Sequence, residues 1–120
     1  LEALAARATL AILTNKPQRP TERILEGLSI APFFRWTIGG DSAYGRKPDP
    51  AGLHHLVSAA SADLASTVMV GDSAIDLRTA RAAGTRICLV RYGFGFGTAA
   101  AELQGDEIIA DRPDLLPTLL

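Results

Sequence analysis

The sequence has a single cysteine, no surplus of either charge, no long apolar run and no repeat. One cysteine, Cys88, cannot close an internal disulfide, which excludes a disulfide scaffold and suits a reducing compartment. Twelve basic residues stand against thirteen acidic ones, a net charge of −1. Such a balance gives no field to hold nucleic acid or an anionic membrane surface, so neither is expected as a partner. No apolar run approaches the roughly 20 residues needed to span a bilayer. The N-terminus, Leu1-Glu2-Ala3-Leu4-Ala5-Ala6-Arg7, has no signal-peptide layout, and a cytoplasmic location is expected. A first residue other than Met also leads to the expectation that the chain was cut, processed or taken as a piece of a longer one. What remains is 120 residues, 48% apolar and 21% charged. That is enough for one domain of the usual size, about 100–200 residues, able to bury roughly two thirds of its unfolded surface.

Short apolar runs alternate with amphipathic segments. Thr9–Leu13, Thr67–Val70 and Ile87–Val90 are apolar without polar alternation, so each predicts a strand buried on both faces. Trp36–Ile38 and Glu107–Ile109 are weaker strand candidates. Between them, Asp49 as N-cap and Pro50 as first helical residue open a helix whose Leu53, Leu56, Val57 and Ala60 share a face. Ser73 with Asp76 forms a capping-box start, and Gly84 supplies the stop of that helix. Further helices are expected around Thr21–Ser29, Thr98–Leu103 and Pro113–Leu120. Strand–helix units in series predict an α/β domain with a parallel sheet, whose ligands collect at the carboxyl ends of its strands.

The polar residues at those ends form a coherent set. Thr14-Asn15-Lys16 follows the first strand, Arg46-Lys47-Pro48-Asp49-Pro50 precedes a helix, and Gly71-Asp72-Ser73 with Asp76 follows the Thr67–Val70 strand. The Thr14 hydroxyl and nearby N–H groups can donate to a phosphate oxygen. Lys47 can neutralise phosphate charge, and Asp72 offers hard oxygens to Mg²⁺. Phosphoryl transfer depends mostly on positioning and charge stabilisation, so only a nucleophile is wanting. Two carboxylates about 5–6 Å apart would repel by roughly 3 kcal/mol at an effective dielectric of 20. A helix N-terminus offsets only about 0.3–1 kcal/mol of that. A lysine or a divalent cation is therefore expected beside Asp72 and Asp76.

This set resembles the haloacid dehalogenase-like hydrolases. Leu13-Thr14-Asn15-Lys16 resembles motif II, Lys47-Pro48 with Pro50 motif III, and Gly71-Asp72-Ser73-x-x-Asp76 with Ala80-x-x-Ala83-Gly84 motif IV. Gly39-Gly40-Asp41-Ser42 ahead of Arg46-Lys47-Pro48 looks most like the phosphoglycolate phosphatase branch. The resemblance implies a Rossmann-like parallel sheet flanked by helices. It implies a Mg²⁺-dependent phosphatase acting on a small phosphorylated metabolite through an aspartyl-phosphate. By it, Thr14, Asn15 and Lys47 bind phosphate, Lys47 also serves catalysis, and Asp72 and Asp76 serve the metal, Asp76 from nearby or through Lys47. A phosphosugar mutase, another small-phosphate phosphatase, or an inactive binding and assembly remnant would carry the same motifs.

One departure from the family pattern stands out. The nucleophile and general acid of the family lie in a DxDx[TV] pattern at the end of the central strand, and no such pattern occurs in this sequence. Residues 1–120 are therefore expected to be the C-terminal part of the core domain, without the motif I strand and the cap, inactive by themselves. A separate segment or chain is expected to supply the strand between the motif II and motif IV strands. Among weaker signals, His54 and His55 are adjacent on a helix and predict surface positions rather than a metal pair. Cys88 predicts core, and Phe33, Phe34 and Trp36 predict packing on a neighbouring helix. Arg46 is either a substrate contact or a solvated charge. Tyr92-Gly93-Phe94-Gly95-Phe96-Gly97 lacks the dinucleotide-binding spacing, and its aromatics are expected at a substrate mouth or under a partner.

Overall fold

Each apolar run becomes a strand, and the strands fall into two groups. The computed structural model describes residues 1–93 and 95–120. Its elements in order are α1 (Glu2–Ala5), β1 (Leu10–Leu13), α2 (Gln18–Gly27), β2 (Phe34–Ile38), α3 (Ala51–Ala59), β3 (Val68–Gly71), α4 (Ala74–Ala83), β4 (Arg86–Val90), α5 (Phe96–Ala99), β5 (Ile108–Ala110) and α6 (Leu116–Leu119). Strands β1 and β2 pair in parallel as one small sheet. Strands β3, β4 and β5 form a second parallel sheet in that order. The expected α/β class and parallel pairing hold.

Strand β4 shows why its sequence has no polar alternation. Ile87 and Leu89 face a core built with Leu53, Val57, Met69 and Leu77. Cys88 and Val90 face the other way, against Ala110 and the half-buried Val68, Ile108 and Leu116. Both faces are covered, so both need apolar side chains. Cys88 is fully buried, as expected, and burial pushes its thiol above the ordinary range. The other two strands expected to be buried on both faces are not. Strand β1 is half-buried throughout, and Val70 in β3 is 43% exposed. Both line an apolar channel of about 620 Å³ that runs between the β1 and β3 edges. Phe34 and Trp36 line the same channel, whose wall also includes Leu53, Leu56 and Val57 of α3.

Helix α4 starts at Ser73 and ends at Gly84, which adopts the left-handed conformation that glycine enters at no steric cost. Helix α3 starts one residue later than its sequence suggested. Pro50 is the N-cap, and Asp49 Oδ1 accepts from Ala51 N–H at 2.9 Å, so the expected cap acts from one position further out. Helix α2, by contrast, begins earlier than expected, at Gln18. The segments after β4 and β5 each form a short helix beside a 3₁₀ turn rather than one continuous helix.

The turn before β5 is pinned by charge. Glu107, with only 2% of its side chain exposed, accepts from the N–H groups of Gln104 and Gly105 and pairs with Arg81 of α4. Burial would raise its pKa, but the N–H donors outweigh it and hold the carboxyl at about 2.

Leu77 sits at the centre of the main core with no exposed surface. Leu77→Ala leaves a cavity that close-packed neighbours cannot fill. It is expected to lower unfolding stability by about 3 kcal/mol, read as a shift in the urea midpoint without a change in slope.

Candidate active site

The loops that follow β1, β2 and β3 meet at one end of the two sheets. Thr14 N–H continues the ladder by donating to Ile38 at 3.0 Å, which fixes where the chain leaves β1. The Thr14 hydroxyl accepts from Lys16 N–H at 3.1 Å and stays half-buried at the loop tip. Asn15 turns towards the loop that carries Lys47. Its Nδ2 donates to the Lys47 carbonyl at 3.0 Å, and its Oδ1 accepts from Lys47 N–H at 2.7 Å. The side-chain amide thus engages Lys47 in both directions and fixes the backbone from which the ammonium extends. Of the three residues expected to bind phosphate, Thr14 keeps its hydroxyl at the loop tip and Lys47 extends its ammonium to Asp76, whereas Asn15 spends its amide on Lys47.

Lys47 Nζ lies 2.6 Å from Asp76 Oδ1, with side chains only 15% and 7% exposed. The other oxygen, Asp76 Oδ2, accepts from Asp72 N–H at 3.0 Å, Ser73 N–H at 3.3 Å and Ser73 Oγ at 3.1 Å. The lysine expected beside the two acids is present beside Asp76. Burial would raise the Asp76 pKa. The Lys47 hydrogen bond and charge, the Asp72 N–H and the Ser73 hydroxyl outweigh it and hold the carboxyl below its ordinary value. Asp76 reaches this position because it is the third residue of α4 and because Gly71 offers no side chain. A Cβ at Gly71 would fall 2.4 Å from the Asp76 carboxylate.

Asp72 differs. It takes part in no ion pair among the described residues, and Gly95 N–H meets its Oδ2 at 3.4 Å. Of the two acids expected to serve a metal, Asp72 presents the freer carboxylate, since Lys47 and the α4 start occupy Asp76. No cluster of three or more His, Cys, Asp or Glu side chains capable of holding a metal occurs among the described residues. One free carboxylate fits Mg²⁺, which keeps several waters and binds through one or two carboxylates together with substrate phosphate.

Other residues near the site carried little or no signal of their role. Gln18, 21 residues from Gly39, accepts from Gly39 N–H at 2.7 Å and donates to the Thr37 carbonyl at 3.0 Å. Asp41 accepts from Gln18 N–H at 2.9 Å, capping α2 from another loop. Gly40 N–H donates to the Lys16 carbonyl at 2.8 Å, and a Cβ at Gly40 would fall 2.1 Å from the Asn15 carbonyl oxygen. Arg46 Nη2 reaches the Asn15 carbonyl at 3.4 Å and is otherwise exposed. His54 and His55 are exposed and point apart. His54 Nε2 contacts the Ala83 carbonyl at 3.0 Å, and His55 stacks on Tyr44 with ring centres 4.4 Å apart. In the glycine-rich turn, Tyr92 is exposed and Phe96 packs on the main core rather than at a mouth, while Phe94 lies outside the described residues.

Because the Asp76 carboxyl is more acidic in the folded state than in the unfolded one, its share of stability is complete above the unfolded value. That share is lost as pH falls through the lower folded value. Asp76→Asn is therefore expected to cost about 2 kcal/mol near neutral pH. The loss shrinks below about pH 4, so urea midpoints of the two proteins should converge in acid.

The loops agree with what the chain is similar to. A sequence model of haloacid dehalogenase-like hydrolases matches residues 1–90. The phosphoglycolate phosphatase of Pseudomonas syringae is 37% identical over 111 residues, 92% of this chain and 41% of its own length. The plasmid phosphoglycolate phosphatase of Cupriavidus necator is 40% identical over 111 residues, 92% of this chain and 48% of its own length. A crystal structure of a predicted phosphoglycolate phosphatase from Haemophilus somnus superposes with a TM-score of 0.86 at 32% identity, over 99% of this chain and 53% of that one. The chain thus spans under half the length of these two curated relatives. With the motif II, III and IV loops converging as described, the chain belongs to the haloacid dehalogenase-like hydrolase family.

Proposed function

We propose that residues 1–120 carry the phosphate, lysine and metal loops of a Mg²⁺-dependent phosphatase acting on a small phosphorylated metabolite of the phosphoglycolate kind. The observation that carries this is the Lys47 ammonium, fixed at 2.6 Å from Asp76 beside a free Asp72 carboxylate. The names of the relatives support the substrate class.

Each residue has a task that follows from its surroundings. Thr14 donates its hydroxyl to a phosphate oxygen, a bond its loop-tip position allows. Lys47 spreads its charge between Asp76 and the incoming phosphate and so stabilises charge that builds up during transfer. Asn15 holds Lys47 in place. Asp72 would hold a Mg²⁺ ion through its carboxylate, and such an ion would supply charge neutralisation to the phosphate. Asp76 keeps Lys47 aimed. The aspartyl-phosphate forms on a carboxylate outside residues 1–120, because the sequence contains no DxDx[TV] pattern. The buried, unpaired Cys88 suits a reducing, cytoplasmic setting. Among the described residues no helix is long and apolar enough to cross a membrane.

The partner in this reading is a strand. Facing β1 and β3 edges with an apolar channel between them offer unpaired N–H and C=O groups on both sides, which are costly to leave bare. A further segment or chain occupies this channel and brings the nucleophile to the loops. Residues 1–120 purified by themselves are expected to self-associate and to be cut readily by protease. A compact, protease-resistant monomer in size-exclusion chromatography would remove the need for the strand.

Activity separates the parts of the proposal. The complete protein is expected to hydrolyse phosphoglycolate only with Mg²⁺, and Lys47→Met to lower kcat by at least about a hundredfold. Residues 1–120 are expected to release no p-nitrophenol from p-nitrophenyl phosphate. Turnover by 1–120 that disappears in Asp72→Ala would show that the nucleophile lies within this chain.

A further inference from the structure

Beyond β4, Gly93 and Gly95 lie in close contact with Asp72 and Ser73. We propose that Thr98, acting through Gly95, is a positioning residue for Asp72, and that Gly93 and Gly95 are glycines so that their backbone can lie directly on Asp72. The proposal rests on the reading of Asp72 as the carboxylate that serves the metal.

Three contacts make a relay. Gly95 N–H donates to Asp72 Oδ2 at 3.4 Å. The Thr98 hydroxyl donates to the Gly95 carbonyl at 2.6 Å. The same hydroxyl oxygen accepts from Ala74 N–H, at the first residue of α4, at 3.0 Å. A hydroxyl can donate once and accept as well, and Thr98 uses both capacities to tie the turn to the start of the helix. Thr98 N–H also donates to the Gly95 carbonyl, at 3.0 Å. The peptide unit that precedes Asp72 is fixed independently, through its N–H bond to Asp76 Oδ2.

Glycine at 93 and 95 is a packing requirement, whereas at Gly97 a Cβ would meet nothing within 4 Å. A Cβ at Gly93 would lie 2.3 Å from Asp72 Cβ and 2.4 Å from its Oδ2. A Cβ at Gly95 would lie 2.7 Å from Ser73 Cβ and 2.9 Å from the Asp72 carbonyl oxygen. Any side chain at either position drives the turn off the acid. At 3.4 Å the N–H contact is long, so the loop rather than the strength of that bond sets its geometry, and a clamp on Gly95 becomes consequential.

The result is a choice between two oxygens. Oδ2 faces Gly95 N–H, and Oδ1 meets no donor among the described residues. The turn therefore decides which oxygen Asp72 offers to a cation and in which direction. Partners of this kind around a metal carboxylate typically tune metal affinity by about 10–100-fold. Thr98 itself is exposed and touches the acid only through Gly95.

The test uses the complete protein. Thr98→Val removes the hydroxyl at nearly constant volume, whereas Thr98→Ser keeps it. In calorimetric titration with MgCl₂ in the absence of substrate, the valine variant is expected to bind at least about tenfold more weakly and the serine variant to bind as the unsubstituted protein does. The Mg²⁺ dependence of activity should shift by the same factor, with KM at saturating Mg²⁺ unchanged. A metal-free readout stands beside this. In ¹H–¹⁵N spectra, Asp72→Asn should move the Gly95 amide proton upfield, because a neutral amide is the weaker acceptor. Unchanged Mg²⁺ affinity in folded Thr98→Val, or Thr98→Ser as impaired as Thr98→Val, would overturn the proposal. So would a Gly95 resonance indifferent to Asp72→Asn, which also decides the matter if Thr98→Val does not fold. Absence of Mg²⁺ binding by the unsubstituted protein would overturn the metal reading instead, leaving the Gly95 response to judge the clamp.

Discussion

The ion pair between Lys47 and Asp76 joins the two halves of this molecule. Lys47 belongs to the loop that continues from the β1–β2 sheet, and Asp76 to the helix that continues from β3. Among the described residues no strand pairing links those sheets, so the pair crosses where no ladder hydrogen bond does. Its cost is the removal of two charges from water, which attraction repays only with good geometry and further hydrogen bonds. The structure supplies both. Asn15 fixes the lysine's backbone from one side, and three donors from Asp72 and Ser73 saturate the second oxygen of the acid. A pair so fully satisfied acts less as glue than as a register mark, setting one loop against another.

The channel between β1 and β3 belongs to the same constraint. The helices that flank the sheets place apolar residues on its walls, Leu53 and Val57 from α3 among them. An apolar wall this extensive stays stable only if something excludes water from it. The same lack of cover explains why β1 is half-buried and why Val70 is exposed. Both strands have the composition of a central sheet position without the neighbour that such a position assumes.

That is also where the sequence could be read and where it could not. Strand identity was legible because apolar runs bounded by loop residues carry a local signal, and β4 answers it fully, with Ile87 and Leu89 on one face and Cys88 and Val90 on the other. Burial of β1 and β3 was not legible, because it depends on a neighbour rather than on the run itself. The start of α4 was legible, since Ser73 and Asp76 sit three residues apart and find each other locally. The Asn15 clip was not. Its partner is 32 residues away, and nothing in an Asn beside a Thr says which of phosphate or backbone it will meet. Thr98 was hidden for the same reason, 24 residues from the helix start that it caps. Chemistry carried by neighbouring residues shows in a sequence. Chemistry carried by residues that support them across the fold does not.

The two aspartates of the third loop illustrate how one short segment can hold like charges for unlike tasks. Four residues apart, they would repel if both faced solvent at the same place. The fold separates their surroundings instead. Asp76 turns inward to a cation and a set of N–H and O–H donors, and its charge is answered there. Asp72 lies against Gly93 and Gly95, with a single N–H on one oxygen and no ion pair among the described residues. An uncompensated carboxylate beside a compensated one leaves a local negative charge that a divalent ion would answer and a second lysine would cancel. The α4 start makes this division possible. Its first-turn geometry draws Asp76 back onto the Asp72 peptide, so the acid that is used up locally holds in place the acid that is left free.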